Sequence, residues 1–221
     1  MRDCIFDSPA NVGSLTNSIL TGVTNFGAVT FYNCVTNSSS TGFYQTAGSG
    51  SYYLADNSLY RNAGTTNISP GLLSDLRAKT TYPPIVTTFQ VITNDWTLFP
   101  QAQRDNDAID LGFHYDPIDF AFQQVVIRNA TFSVLPGTVV CAGGVYGLGV
   151  QAGGKFICQG TPTNLNRMVF YNMVQEHSTT NWDYPGNFMD GDWLGGTPQA
   201  EVSFKFTDWS MPPGKIGRAH V

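Results

Sequence analysis

The stretch 138-TVVCAGGVYGLGVQAGGKFICQGT-161 carries the pattern that decides the fold. It opens with TVVCAGG and closes with KFICQGT, so that Cys158 follows Cys141 by seventeen positions. Each of these segments is preceded by another strand-like segment, 132-FSV-134 or 148-LGV-150, and by a glycine turn. Short strands that recur about every 20 residues, with no amphipathic helix between them, are typical of a β-solenoid. The alignment therefore predicts that Cys141 stacks over Cys158 in successive coils.

Short strand-like segments also occur before and after this repeat. A further rung is predicted in 165-LNRMVFYNMV-174, and three short apolar pieces of 11–40 end in Leu-Thr-Asn or Val-Thr-Asn. One clear strand is predicted at 28-AVTFYNCVTN-37, where Asn33 shares a face with apolar residues. Inward asparagines of stacked-coil proteins form hydrogen-bond ladders, which we expect here. A sandwich or an up-and-down barrel is an alternative, but neither needs strands repeated at matched length.

A single strong helix signal interrupts the β pattern, at 69-SPGLLSDLRAKT-80. Ser69 is a suitable N-cap, Pro70 suits the first helical position, and three leucines form a narrow apolar stripe. We expect the helix to stop before Tyr82-Pro83-Pro84, because a residue before proline disfavours the α region. Residues 82–104 then form an extended linker that contains the strand candidate 85-IVTTFQVIT-93. The helix could cap an open end of one stack.

The composition indicates a folded, turn-rich β protein. Charged residues make up 12% of the 221 positions and hydrophobic residues 42%, so uncharged Thr, Asn, Ser and Gly must supply the polar surface. The net charge of −5 argues against nucleic acid as a partner, since that partner needs a basic face. No apolar run of about 18 residues exists, so no membrane span is predicted.

Both ends of the chain are expected to be cut. The last six residues, 216-IGRAHV-221, match the in-frame translation of a common sequencing adapter, which predicts a non-native tail. Asp3 and Asp7 stand where a signal peptide needs its apolar region, but an internal start would make that absence uninformative. We expect an internal fragment of a longer protein.

The segment 105-DNDAIDLGFHYDP-117 concentrates the candidate chemistry. It suggests a metal site or an acid/base centre through Asp105, Asp107, Asp110, His114, Tyr115 and Asp116. The EF-hand pattern fails, because Asp110 stands where the loop needs glycine and Asp116 where it needs glutamate. The favoured hypothesis is a structured junction, in which Asp110 caps a turn and Leu111 and Phe113 pack inward.

Other candidate residues are weaker. Asp190 and Asp192 form a second calcium candidate, and Lys155, Arg128 and Arg167 are interpreted as solvent-facing. The four cysteines lack zinc spacing and are interpreted as small buried hydrophobes. Five aromatic residues could stack on sugar rings, although core or loop packing is favoured for each: Tyr52, Tyr53, Trp182, Tyr184 and Trp193. Sequons begin at Asn37, Asn67 and Asn129, where chance matches are expected. No residue is assigned to catalysis, to a cofactor or to a metal.

Three blocks of the chain resemble a known family: 52-YYLADNSLYRNAGTTNI-68, 99-FPQAQRDNDAIDLGFHYDPIDF-120 and 154-GKFICQGTPTNLNRMVFYN-172. They are similar to large extracellular bacterial proteins of the right-handed parallel β-helix, or pectin-lyase-like, fold. In those proteins the motif Asp-Leu-Gly-Phe/Tyr-His-Tyr-Asp-Pro recurs where one β-helical stretch ends and another begins. The resemblance implies the fold and a secreted or cell-surface location, and it implies no established activity.

The repeats predict an all-β solenoid, and the resemblance implies a right-handed parallel β-helix in two stretches, with one short helix and an extended linker between them. The expected divisions are 1–68, 69–104, 105–215 and the tail 216–221. The predicted function is structural or adhesive, with a polysaccharide or cell-surface glycan as the candidate partner. The alternative is a polysaccharide lyase or glycoside hydrolase, although the sequence lacks the Asn-Thr-Asp, Asp-Asp, Gly-His-Gly and Arg-x-Pro-x-x-Arg motifs of such enzymes.

Overall fold

The computed structural model describes residues 13–23, 26–175, 182, 186–190 and 197–210. Its strands are β1 (Gly13–Thr16), β2 (Ile19–Thr21), β3 (Val29–Tyr32), β4 (Val35–Asn37), β5 (Tyr44–Ala47), β6 (Gly50–Leu54), β7 (Ile85–Thr88), β8 (Val91–Ile92), β9 (Trp96–Leu98), β10 (Phe120–Ile127), β11 (Thr131–Val134), β12 (Val139–Val150), β13 (Lys155–Gln159), β14 (Asn166–Phe170), β15 (Asn187–Asp190), β16 (Glu201–Lys205) and β17 (Thr207–Ser210). Its helical segments are α1 (Pro70–Ala78) and the single turn α2 (Tyr171–Val174). The prediction of an all-β protein is confirmed, and parallel pairing dominates the sheets.

The chain divides into two compact units. The first contains residues up to 46 together with 51–82 and 103–116, and the second contains 47–50, 83–102 and the residues from 117 onward. The boundaries expected at residues 68 and 104 stay predictions.

In the first unit, β1 pairs with β3 and β2 pairs with β4, both in parallel. The chain bends between the two strands of each pass at Asn17 and Asn33, which both have a φ of 52°. Asparagine tolerates this left-handed conformation better than most residues because its short side chain bonds locally. The single strand predicted over 28–37 is therefore wrong, since Asn33 divides it into two strands.

The asparagine ladder is confirmed, although it lies at a bend rather than inside a strand. The Nδ2 group of Asn33 donates to Asn17 Oδ1 at 2.9 Å and to the carbonyl of Ala63 at 2.8 Å. The Nδ2 group of Asn17 donates to the carbonyl of Thr65, and Asn17 Oδ1 accepts from the Thr65 amide, both at 2.8 Å. These bonds tie consecutive passes of the chain to the segment 63–65.

The second unit contains two parallel sheets that the chain supplies in turn. One sheet has the order β17-β14-β12-β10-β7, with β8 and β15 beside β10 and β12, and the other has the order β16-β13-β11-β9. The chain passes from β10 to β11 and then from β12 to β13, so each pass adds one rung to both sheets. Between them lies an apolar core with a column of rings, in which Trp96 stacks on Phe132 at 5.2 Å.

The predicted stacking of the two cysteines is wrong. Cys141 lies in β12 between Ala121 and Val169 of the neighbouring strands, whereas Cys158 lies in β13 between Val134 and Phe204. The two segments look alike in sequence, but residues 139–144 of β12 are all buried, whereas β13 buries alternate side chains. They belong to different sheets of one pass and not to successive passes.

The helix prediction is confirmed in place and type. Ser69 Oγ accepts a hydrogen bond from the Leu72 amide at 3.4 Å, and Pro70 occupies the first turn. The helix ends at Ala78, before the predicted stop, and none of its residues is buried. The strand expected over 85–93 is two strands, because Phe89 adopts a φ of 50° and bends the chain.

Candidate functional site

A buried polar cluster occupies the segment that concentrates the candidate chemistry. We call it the Asp–His cluster, formed by Arg61, Thr81, Asp105, Asp110 and His114. His114 Nε2 lies 2.6 Å from Asp105 Oδ2, and His114 Nδ1 lies 3.1 Å from the Gly112 carbonyl oxygen. Asp105 Oδ2 also accepts the amide of Asp110 at 2.8 Å. These bonds close the loop 105–114 on itself.

Asp110 connects this loop to the rest of the first unit. Its Oδ1 accepts the amide of Asn62 at 2.7 Å, while its Oδ2 accepts the Thr81 hydroxyl and lies 3.5 Å from Arg61 Nη1. The Arg61 guanidinium also lies 3.5 Å above the Tyr82 ring. Asp110 therefore caps a turn, as predicted, and that turn, residues 59–62, lies far away in the sequence.

Burial decides what the Asp–His cluster can do. The side chains of His114 and Asp105 are each only 2% exposed, so solutes do not reach the imidazole. Tyr115 is buried and accepts the Tyr52 amide at 3.0 Å, while Asp116 is exposed and pairs with Lys79 at 3.1 Å. The imidazole and the Asp105 carboxylate are therefore packed inside the first unit.

Two inward positions were predicted beside this cluster, and one is wrong. Leu111 is buried as expected, but Phe113 is 54% exposed and meets the Tyr115 ring edge-on. In the part of the chain that the structure describes, no group of three or more His, Cys, Asp or Glu residues is placed to hold a metal ion. Asp190 is half-buried, and Asp192 lies outside the described residues.

A second candidate site lies on the outer face of the four-stranded sheet. Side chains alternate across a strand, so the residues between the buried Phe132 and Val134, and between Phe156 and Cys158, point outward. The pairing register places one outward residue from each of the four strands side by side: Thr97, Ser133, Ile157 and Ser203. We call these four residues the outward column. This column carries no charge.

A groove of about 380 Å³ runs beside the outward column. It is lined by Ser133, Val134, Leu135, Pro136, Ile157, Gln159, Gly160, Thr161 and Lys205. Lys205 is the single charged residue in this set. Apolar and polar side chains both line this open groove. Hydrolysis or lysis of a glycan needs several ionisable groups around one bond.

The basic residues interpreted as solvent-facing are bound to their neighbours in the adjacent rungs. Lys155 lies 2.9 Å from Glu201, and Arg167 lies 3.6 Å from Asp208, in each case across paired strands. Arg128 is exposed and bonds the side chain of Gln151. Exposed pairs of this kind contribute little stability each.

None of the described aromatic candidates lines the groove. Tyr53 is fully buried, and Trp182 is 9% exposed against the ring of Tyr171. Tyr52 is half-buried with its ring against Tyr44. Tyr184 and Trp193 lie outside the described residues. Tyr53 and Trp182, the most buried of the described candidates, therefore pack against other side chains, as expected.

One buried acid was missed by the sequence analysis. Asp119 is fully buried, and its carboxylate accepts the amides of Gln101 and Ala102 at 3.0 Å each and of Val139 at 2.8 Å. These bonds join the strand β10 to the preceding loop and the next rung. An acid directly before an apolar strand is the only sequence signal for such a role.

The described cysteines are all free thiols. Burial raises the pKa of the Cys141 thiol well above its ordinary value and also raises the pKa of Cys158. Cys34 is half-exposed, and its thiol donates to the Leu15 carbonyl at 3.3 Å. The interpretation as small buried hydrophobes is confirmed for Cys141 and Cys158, while Cys4 lies outside the described residues.

The fold and these sites define a class of protein: an all-β chain with sheets of parallel strands. Comparisons with protein-family models, with curated proteins and with solved structures gave no match. Within the described ranges, no helix has the length and apolar character needed to cross a membrane.

Proposed function

We propose that the chain is a structural or adhesive segment of a secreted or cell-surface protein. Its architecture would be a right-handed parallel β-helix in two stretches, similar to the pectin-lyase-like proteins. The observation that carries this proposal is the in-register stacking of β9, β11, β13 and β16, in which Lys155 and Glu201 pair across rungs beside the uncharged outward column. A rigid parallel sheet with paired charges suits a stalk or a contact surface.

The specific version of the proposal is carbohydrate binding at the groove beside the outward column. Ile157 and Leu135 offer an apolar surface for the face of a sugar ring. Ser133 and Gln159 offer hydroxyl and amide groups for its hydroxyls. The Asp–His cluster has no part in this function, because its side chains are buried and bonded to each other.

A glycan array on the recombinant chain tests this version, followed by calorimetric titration of any polymer that binds. We expect Ile157→Ala combined with Gln159→Ala to weaken binding by about tenfold or more, through lost apolar contact and lost hydrogen bonds. Val145→Ala is the matched control, because Val145 is 62% exposed and does not line the groove. Silence across uronate and neutral polymers would contradict carbohydrate binding and leave the structural role alone.

A further inference from the structure

His114 of the Asp–His cluster has both of its ring nitrogens next to oxygen atoms. Its Nε2 lies 2.6 Å from Asp105 Oδ2, and its Nδ1 lies 3.1 Å from the carbonyl oxygen of Gly112. A carbonyl oxygen can only accept a hydrogen bond, and so can an ionised carboxylate. A neutral imidazole carries a proton on one nitrogen only, so in that form a lone pair of His114 would face an acceptor. The doubly protonated ring, the imidazolium, donates to both oxygens.

The charges of the cluster favour the same form of the ring. Asp105 and Asp110 are two buried carboxylates, whereas Arg61 supplies one cation, at 3.5 Å from Asp110. Asp105 Oδ1 is also buried, and it has no hydrogen-bond partner within the described ranges. Burial of a charge is costly unless an opposite charge or hydrogen bonds offset it. An imidazolium at His114 supplies the second cation, and the cluster then has no net charge.

The other charged or titratable groups around the cluster do not bond to the ring. Asp110 directs its carboxylate to Arg61 and Thr81, and only its amide reaches the pair, where it donates to Asp105 Oδ2 at 2.8 Å. The remaining groups lie on the same loop, at the end of α1 or under the Arg61 guanidinium: Lys79, Tyr82, Arg104, Asp107, Tyr115 and Asp116. Asp105 is therefore the carboxylate that holds the imidazolium.

We propose that His114 is an imidazolium in the folded chain at neutral pH, and that its second ring proton stabilises the first unit. A histidine of the unfolded chain releases this proton near about pH 6.5. Above that pH the folded chain binds one proton more than the unfolded chain, so the free energy of unfolding falls as pH rises. The stabilisation is complete below about pH 6.5 and is lost progressively above it. The Asp–His cluster thus makes the closure of the loop 105–114 sensitive to pH.

This device is separate from the groove of the proposed function. The cluster belongs to the first unit, whereas the residues that line the groove belong to the second. Failure of glycan binding therefore leaves the proposal on His114 untouched, and the reverse also holds.

Nitrogen-15 NMR of the folded chain counts the protons on the ring directly. The chain has 3 histidines, so His177→Gln combined with His220→Gln leaves His114 as the only one. We expect both ring nitrogens of His114 to carry a proton at about pH 7.5, where an ordinary histidine is mostly neutral. The wild-type chain should show the same His114 signals, which establishes that the two substitutions leave the cluster intact. A folded chain whose His114 carries a proton on one nitrogen only at this pH would overturn the proposal.

Urea unfolding between about pH 6 and about pH 8, below the ordinary range of thiols, measures the effect on stability. We expect the unfolding equilibrium constant of the wild type to rise by up to about tenfold per pH unit in the upper part of this range. Asp105→Asn removes the carboxylate that holds the proton, so its stability should be lower at the acidic end and nearly independent of pH. Asp107→Asn is the matched control, because Asp107 lies on the same loop but is exposed.

The control should keep the wild-type dependence on pH. Equal pH dependence of the wild type and Asp105→Asn would rule out that the proton stabilises the fold. The count of ring protons needs no substitution within the cluster, so it decides the protonation of His114 even if Asp105→Asn does not fold.

Discussion

At the scale of single residues, Asn17 holds the first unit together through three side-chain hydrogen bonds in a left-handed backbone conformation. We expect Asn17→Gly to lower the free energy of unfolding by about 1–3 kcal/mol, because glycine keeps the backbone but leaves buried groups unpaired. Asn17→Ala should cost about 1 kcal/mol more, since alanine also strains the backbone. Urea titration measures both, and a glycine variant as stable as the wild type would refute a stabilising role for the ladder.

Cys141 gives a pH prediction. Its thiol is buried, so its pKa in the folded chain lies well above the ordinary value of about 8.5. The neutral buried thiol therefore contributes its full stabilisation below about pH 8.5. Above that pH the thiol ionises only in the unfolded chain, so the free energy of unfolding falls as pH rises. For this one thiol the loss approaches about 1.4 kcal/mol per pH unit.

The measurement compares unfolding free energies of the wild type and Cys141→Ala between about pH 7 and about pH 10, a range that brackets the ordinary thiol pKa. The alanine variant starts less stable because it leaves a small cavity, but its stability should fall less steeply with pH. Cys34→Ala serves as the control, since that thiol is half-exposed. Parallel pH profiles for the wild type and Cys141→Ala would contradict the prediction.

At the scale of residues, the sequence predicted contacts only where a general rule of stacked-coil proteins applies to the residue type. Asn33 was expected to form a ladder because it shares a face with apolar residues in the sequence, and inward asparagines of stacked-coil proteins form such ladders. Asp119 was missed because its three amide partners come from the loop before it and from the next rung, and no local pattern marks them. Phe113 was misplaced for the same reason. Its neighbour Leu111 is also strongly hydrophobic, and only the tertiary structure decides which of them is covered.

At the scale of elements, α1 is the segment that its own sequence determines best. Ser69 and Pro70 define its start, and none of its residues is buried. We expect Asp75→Pro to remove the helical signal of this segment in circular dichroism, because proline breaks a helix interior. The thermal midpoint of the strands should change little, since the helix buries no side chain.

The matched control for this helix is Asp75→Ala, which places a good helix former at the same position and should keep the helical signal. It also separates the effect of the broken helix from the loss of the Asp75 carboxylate, which lies 4.0 Å from Lys79 Nζ. A large drop in the thermal midpoint of Asp75→Pro alone would show that the helix supports the sheets.

For the strands, the sequence predicts some features and not others. Their existence was predictable from apolar alternation, but their grouping into passes was not. The segment around Cys141 and the segment around Cys158 carry the same local pattern, and the register between rungs is set by contacts that come from other passes. Strand β12 adds a further complication, because residues 144–147 bulge out opposite the single residue Gln124. Such an insertion changes the spacing between equivalent residues of successive passes, so the repeat length is not evident from the sequence.

At the scale of the whole molecule, the core of the second unit is a stack of rungs, so each inward residue contacts its counterparts above and below. Phe132 pairs with Trp96 in one neighbouring rung and with Phe156 in the other. It is fully buried, and its ring packs against both Trp96 and Phe122. The loss of this side chain therefore affects three consecutive rungs, whereas a loop residue affects only its own.

We expect Phe132→Ala to lower the free energy of unfolding by about 3–5 kcal/mol, the range for deletion of a fully buried aromatic side chain. That loss is a large fraction of the stability of a typical domain, so the variant should unfold at a much lower urea concentration. Phe99→Ala is the matched control, because Phe99 is 50% exposed and should change the free energy by no more than about 0.5 kcal/mol. Equal midpoints for the two variants in urea unfolding, followed by tryptophan fluorescence, would show that stability does not depend on the stacked column. A drop confined to Phe132→Ala would instead place a main source of stability in the contacts between inward side chains of neighbouring strands.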